Sequence, residues 1–388
     1  MRSLRFTRDD TAILRTSVQV IVLAFIAGIC TSWPLWNETR LFPTAPALPL
    51  PQLPLAVSSI LPFIFIFLLL LLAIFPLHKN ILLLTFSFTT LLALYDQNRW
   101  QPWLYQYFLV FFLLLFYKRS NERTLLNAFR LIVCGIYFWS GIQKLNPDYR
   151  GDTAYWLTQP LGNYFGNGFA LFAGHCAQAV PYFEIFAAFG LLIPRTRFAT
   201  RAIVITMHVY IILLSSPLGR NYNYVIVPWN IAMICLLLLL FRKENSTSLS
   251  SVFRTAGRSY VLPVFVLVWV FPALSIFSYW DTYLSSSLYS GNFDSAYLYV
   301  SKNVRDKLPE ALKKKVYTQQ GRGGDTLYYF FINEWGMQEM SVPTYPETRV
   351  FRAVKNEVMK YASNPDDVVL VVLRKWTPGH KEYYENVE

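Results

Sequence analysis

Charge is scarce in this chain. Asp, Glu, Lys and Arg together make up 15% of its 388 residues, against about 25% in soluble domains. That scarcity excludes an ordinary water-soluble globule. Cysteine is scarcer still. Cys30, Cys134, Cys176 and Cys235 lie in or beside apolar segments and form no C-x-x-C pair. A disulfide scaffold is therefore excluded and a zinc site is not expected. The four histidines fall at no haem- or metal-ligand spacing, so no metal cofactor is expected. Walker A, H-E-x-x-H, G-x-S-x-G and dinucleotide fingerprints are all missing. Nucleotide-driven transport and hydrolysis by those routes lack support.

What is abundant is apolar surface: 54% of residues are hydrophobic and 17% aromatic. Several runs approach the roughly 20 residues that cross a ~30 Å hydrocarbon layer. The sequence reads as a polytopic α-helical membrane protein with about nine transmembrane helices, at 12–33, 57–77, 80–96, 101–117, 124–145, 176–194, 199–217, 222–241 and 259–280. The first has a basic start, but its apolar stretch is long for a signal peptide, so it reads as a retained helix.

The formal net charge of +12 lies wholly within residues 1–280, which points to membrane loops. A nucleic-acid partner is not expected. With a cytoplasmic N-terminus, nine spans place 16 Lys and Arg inside, Lys243 among them, and five outside, as the positive-inside rule asks. That arrangement puts the chain in the plasma (inner) membrane and residues 281–388 on the extracytoplasmic side.

Loops divide the transmembrane domain, 1–280. Residues 34–56 are Pro-rich and read as a rigid extended loop. Residues 146–175 form the longest loop, able to fold back as a lid or re-entrant piece. Residues 243–258 are a polar Ser/Thr linker. The polar C-terminal part, 281–388, reads as a small α/β domain. Strands are expected at 295–301 and 367–376, a hairpin of 326–332 with 337–342 about Glu334, Trp335 and Gly336, and helices at 304–316 and 347–361. That βαββαβ order suggests a ferredoxin-like split βαβ unit.

Ionisable residues inside apolar helices are functional candidates. Lys144 ends the fifth segment. Tyr137 lies seven residues before it, on the same helical face, and Ser140 lies between them. At about 1.5 Å per residue, Glu184 and His208 fall at mid-membrane depth, level with Tyr137. A Tyr137–Glu184–His208 cluster is therefore expected, with Lys144 about two turns further out. A second polar group, Asp96, Arg99, His175, Arg220 and Asn223, is expected with Lys144 at the outer mouth. Each has a plainer reading. Lysines snorkel at helix ends, Glu184 can be an interhelical ion pair, His208 a satisfied core histidine, His175 a loop residue, and Asp96 with Arg99 a loop salt bridge. Arg130 reads as a snorkelling residue on the cytoplasmic side.

The segment SGIQKLNPDY (140–149) resembles the S-G-x-x-K helix of the horizontally transferred transmembrane (HTTM) domain shared with vitamin K-dependent gamma-carboxylases. PYFEIFAAFGLLIPRTRFATRAIVITMH (181–208) is similar to the segment that follows it there, and to DoxX/MauE-like proteins. The similarity covers roughly residues 80–245. It implies a lipid-soluble quinone of the vitamin K type as ligand. Lys144 would be the base that takes a proton from the reduced form, with Glu184 and His208 as further catalytic candidates. The chain departs from the carboxylases in its short C-terminal part, since they carry an extensive lumenal region. The DoxX/MauE side implies instead a non-catalytic membrane assembly or maturation factor whose C-terminal domain meets an exported protein partner.

Overall fold

The computed structural model describes residues 2–37, 40–51, 53–242, 248–321 and 324–387. Lys243, residues 243–247 of the Ser/Thr linker and residues 38–39 and 52 of the Pro-rich loop lie outside the described residues. The chain divides into two compact units. The first comprises Met1–Thr31, Ile60–Leu91 and Gln101–Asn292; the second comprises Ser32–Ser59, Leu92–Trp100 and Phe293–Glu388.

Apolar sequence makes the first unit helical. The apolar segments form the helices α1 (Arg2–Thr31), α2 (Leu55–Ile74), α3 (Lys79–Tyr95), α4 (Pro102–Leu114), α5 (Glu122–Gln143), α6 (Asn167–Ala177), α7 (Val180–Gly190), α8 (Arg197–Ser215) and α9 (Ile226–Leu240). The nine expected spans are not supported at full length. Among the described residues, four helices are long and apolar enough to cross a membrane: Asp10–Thr31, Ala56–Ile74, Arg119–Gln143 and Arg197–Ser215. The other five apolar segments are shorter, 10–17 residues each. A helix of 13 residues rises only about 20 Å, short of the hydrocarbon layer.

Local chemistry explains the shortening. The segment 176–194 starts late because a turn separates α6 from α7, with Pro181 in the first turn of α7. The last segment is broken into Leu262–Phe265, a π turn at Val266–Val270 and a 3-10 stretch at Phe271–Phe277. Pro272 sits at the start of that stretch, and lacking an N–H it cannot continue the preceding helix. Within the loop 146–175 the chain forms a π turn, short helical turns and α6 rather than an extended strap. In the linker, Ser248 caps a helix at Leu249–Thr255.

Aromatic packing fills the core of the first unit. Phe25 meets Phe65 edge-on at 5.2 Å and Trp103 at 5.6 Å. Arginines close helix C-termini, where carbonyls lack partners. Arg130 is buried, not snorkelling: its Nε donates to the carbonyl of Leu240 (2.8 Å) at the end of α9, and its guanidinium also donates to Asn127 Oδ1 (2.8 Å). Arg197 donates to the carbonyls of Leu191 (2.9 Å) and Leu192 (3.2 Å) after α7.

The second unit holds a five-stranded sheet: β1 (Ser295–Val300), β2 (Tyr317–Gln320), β3 (Thr326–Phe331), β4 (Val368–Arg374) and β5 (Tyr383–Val387). Its order is β2-β3-β1-β4-β5, with antiparallel neighbours throughout. β3 lies between β1 and β2, which are joined through the helices Lys302–Lys307 and Glu310–Lys313, the split β-α-β order. The single expected helix at 304–316 is two, because Pro309 interrupts it and holds Leu308 extended.

The hairpin about Trp335 is not formed. Ile332–Met340 is a helix, ended by Ser341 in left-handed backbone. Its buried residues Ile332, Trp335, Gly336 and Met340 follow helical spacing, which outweighs the apparent alternation. The hairpin pairs β2 with β3 instead. One sheet face, with Ala296, Leu298, Phe330, Leu370 and Val372, is buried with Val350, Phe351, Val354 and Val358 of the helix Thr348–Met359. The other carries rings that stack across strands: Tyr297 on Phe331 at 5.0 Å and Tyr317 on Tyr329 at 5.6 Å.

Segments distant in sequence complete this unit. Leu41 N donates to Glu339 Oε2 (3.1 Å), and Phe42 packs edge-on against Trp335 at 5.2 Å.

Candidate functional site

α5 carries the site because its serine, glycine and lysine fall on one face. Gly141 lets α7 approach closely. A Cβ there would lie 2.5 Å from the Pro181 carbonyl oxygen and 3.0 Å from the Ile185 nitrogen. That contact brings two chain positions forty residues apart into a bond. Lys144 Nζ donates to Glu184 Oε2 at 2.7 Å, with both side chains buried. Nζ also donates to Ser140 Oγ (2.6 Å) and to the Ser140 carbonyl (3.3 Å). The pair is matched to the helix dipoles. Lys144 closes the C-terminus of α5, and Glu184 lies in the second turn of α7, so each charge faces the favourable helix end.

A second set is bonded higher on the same helix. Tyr137 Oη and His208 Nε2 are 2.7 Å apart. His208 Nδ1 lies 2.6 Å from Asn230 Oδ1, and Asn230 Nδ2 donates to the Ile226 carbonyl at 2.8 Å. For a neutral His208 imidazole the network sets the direction of both ring bonds. Asn230 spends its N–H on Ile226, so Oδ1 is an acceptor and Nδ1 carries the hydrogen. Nε2 is then a lone pair, and the Tyr137 hydroxyl donates to it.

The expected Tyr137–Glu184–His208 cluster therefore resolves into two bonded sets, Lys144 with Ser140 and Glu184, and Tyr137 with His208 and Asn230. The depth estimate shifts because α7 begins at Val180, not 176. Glu184 thus sits level with Lys144 at the end of α5. Tyr137 remains within electrostatic reach of Glu184. On its outward side α7 exposes Tyr182, Phe183 and Phe186.

The other expected residues are placed as follows. In the first unit His175 is exposed and bonded through Nδ1 to Tyr155 Oη (2.9 Å). Arg220 stacks 4.4 Å over Trp156 and donates to Gln159 Oε1 (2.7 Å). Asn223 holds a left-handed turn, φ 59°. Asp148, in the loop that follows α5, has its carboxyl raised above the ordinary range by burial and then by Asp152. Asp96 and Arg99 belong to the second unit. Asp96 is paired with Arg40 and also accepts from the backbone of Ala45 (3.2 Å) and Asn98 (3.1 Å). Arg99 donates to the carbonyls of Leu92 (2.8 Å) and Leu35 (3.3 Å).

Three contributors were not read from sequence. Asn230 was visible as a lone amide within IVPWNIAMICLLLLL, a costly residue in an apolar helix. Gly141 was visible only as a small residue beside Ser140. Arg40 carried no signal beyond its charge. Among the described residues no three His, Cys, Asp or Glu side chains gather as a metal site.

Comparison of the chain with protein-family profiles, curated proteins and solved structures gives no match.

Proposed function

We propose that this is an integral membrane protein, HTTM/carboxylase-like, that binds a lipid-soluble quinol-type amphiphile and exchanges protons with it at Lys144 and Glu184. The observation that carries the reading is the buried 2.7 Å contact between Lys144 Nζ and Glu184 Oε2. Two charges out of water are costly, and a chain that keeps them has a use for a proton held there.

Lys144 and Glu184 act as one acid–base unit. A proton moving from Nζ to Oε2 leaves a neutral amine and a carboxylic acid, the form in which lysine is a base. Ser140 orients Nζ through two hydrogen bonds. Glu184 Oε2 accepts from Lys144 and the Tyr137 oxygen is held by His208 Nε2, and the lone pairs these groups have left suit a hydroxyl-bearing ligand. A quinol bound there would supply two ring hydroxyls and, on oxidation, two electrons. The exposed rings of Tyr182, Phe183 and Phe186 suit arrival from lipid. We place the N-terminus in the cytoplasm and the sheet domain on the extracytoplasmic side, from the charge bias of the loops.

The test is native mass spectrometry with lipid extraction, comparing wild type with Lys144→Ala. A co-purifying quinone lost in the variant supports the reading. No quinone in either protein sinks it.

A further inference from the structure

The sheet of the second unit has one face covered by the helix Thr348–Met359, and the other carries a continuous strip of aromatic rings. Tyr297 of β1 stacks on Phe331 of β3 at 5.0 Å and meets Tyr384 of β5 at 6.4 Å. Tyr329 of β3 lies 5.6 Å from Tyr299 of β1 and 5.6 Å from Tyr317 of β2. The strip thus crosses the sheet from one edge strand to the other, about 19 Å at the usual strand spacing. Its end rings are the most open, Tyr384 at 66% exposure and Tyr317 at 39%. By strand register no strand side chain on this face is charged. Where β1 ends and β3 begins, the strip runs into an open cleft of about 450 Å³, lined in part by Tyr299, Ser301, Lys302, Asp325 and Thr326. That volume is in the range of small-ligand sites. Lys302 and Asp325 are exposed, and neither side chain has a hydrogen bond or ion pair among the described residues.

We propose that this face is a carbohydrate-binding platform: a neutral glycan lies along the tyrosine strip and places its hydroxyls between Lys302 and Asp325 in the cleft. A sugar ring has a face of C–H groups that packs on the negative face of an aromatic ring. It also has a rim of hydroxyls that both donate and accept. An ammonium and a carboxylate not bonded to each other suit that rim, one giving hydrogen bonds and the other taking them. Charge decides against a single-stranded nucleic acid, which stacks on rings but needs a basic groove for its phosphates. Here the strip is uncharged and Lys302 is balanced by Asp325. Residues 281–388 as a whole carry 14 Lys and Arg against 14 Asp and Glu. A protein interface is depleted of Lys and Asp at its apolar centre, whereas this strip leads directly into one of each. The platform belongs to the second unit, and Lys144 and Glu184 to the first, so its function does not depend on theirs.

The experiment is isothermal titration of the full-length protein in nanodiscs with neutral tetrasaccharides (cellotetraose, chitotetraose, maltotetraose and mannotetraose) and with an oligothymidylate. At least one sugar is expected to bind saturably, with an affinity that does not change with salt because the ligand is uncharged. Tyr384→Ala and Tyr317→Ala are each expected to weaken it about fivefold, the scale of one lost ring contact. Tyr384→Phe keeps the ring and is expected to keep the binding. Lys302→Met and Asp325→Ala are expected to weaken it from the cleft side. All of these side chains are exposed, so an unfolding midpoint equal to wild type is expected to accompany each loss. Sugar binding unmoved in folded Tyr384→Ala and Tyr317→Ala overturns the platform. So does binding of none of the sugars by folded wild type, or binding of the oligothymidylate alone with an affinity that falls steeply with salt. Each of those outcomes leaves the Lys144–Glu184 reading standing.

Discussion

Lys144 and Glu184 are bonded at 2.7 Å although forty residues separate them, and a glycine three residues before Lys144 makes the contact possible. The relationship is local chemistry placed by helix packing. Gly141 brings the helices together, the two helix ends supply matching dipoles, and Ser140 holds the ammonium between turns.

Gly141→Ala tests the packing. The added Cβ meets backbone atoms of Pro181 and Ile185, which cannot swing aside. Overpacking of this kind costs about 1–3 kcal/mol. The expected result is a lower unfolding midpoint in detergent, together with loss of any ligand that depends on Lys144. A midpoint equal to wild type would mean that α5 and α7 do not approach this closely.

The ion pair calls for a double-mutant cycle. Lys144→Met or Glu184→Leu alone leaves one buried group without its partner, at about 3–5 kcal/mol. The double variant Lys144→Met/Glu184→Leu replaces both with apolar side chains and is expected to recover most of that loss. Ligand binding is expected to stay lost. Additive losses in the double variant would show that the two side chains do not interact.

Arg130 gives a narrower test. Its Nε and guanidinium serve two acceptors at once, the Leu240 carbonyl and Asn127 Oδ1. A lysine offers one ammonium and no fork. Arg130→Lys is therefore expected to lose about 1–2 kcal/mol through the lost charged hydrogen bond and its unmatched acceptor, with protection of the α9 C-terminal amides falling first in hydrogen exchange. If lysine preserved both, the cap would owe its strength to charge alone.

Much of this was legible in the residues. Apolar runs mark the positions of the helices in the first unit, and ionisable residues within them identify Lys144, Glu184 and His208. What the sequence misjudged was helix length. Hydropathy counts residues but does not register the turn before Pro181 or the break at Pro272, so nine spans of full length were read where four qualify among the described residues. The same error displaced Glu184 along the helix and grouped it with Tyr137 instead of Lys144. In the sheet domain, alternation in MQEMSV suggested a strand, whereas burial of Ile332, Trp335 and Met340 against neighbours selects a helix. Asp96 and Arg99 are expected in a polar group at the outer mouth, with a loop salt bridge between them as the plainer reading. The ion pair of Asp96 is with Arg40, which only the fold brings near, while Arg99 acts on it electrostatically.

That buried group yields a pH prediction. Burial alone would push the Asp96 carboxyl up, but the guanidinium groups of Arg40 and Arg99 and the hydrogen bonds from Arg40 and Asn98 hold it below the ordinary carboxylate range. A carboxyl depressed in the folded state adds stability that is fully present above its unfolded value, about 3.9, and is lost as pH falls through the lower folded value. Asp96→Asn removes the charge at every pH and leaves Arg40 buried without its anion, so at pH 7 it is expected to cost about 3–5 kcal/mol. As pH drops below about 4, Asp96 takes up a proton first in the unfolded chain and at lower pH in the folded protein, where it becomes as neutral as asparagine. The difference between the two proteins in denaturant midpoint should then hold constant from pH 7 to 5 and narrow below 4. A gap that stays the same at pH 3 would mean that the folded protein does not hold the Asp96 carboxyl below its unfolded value.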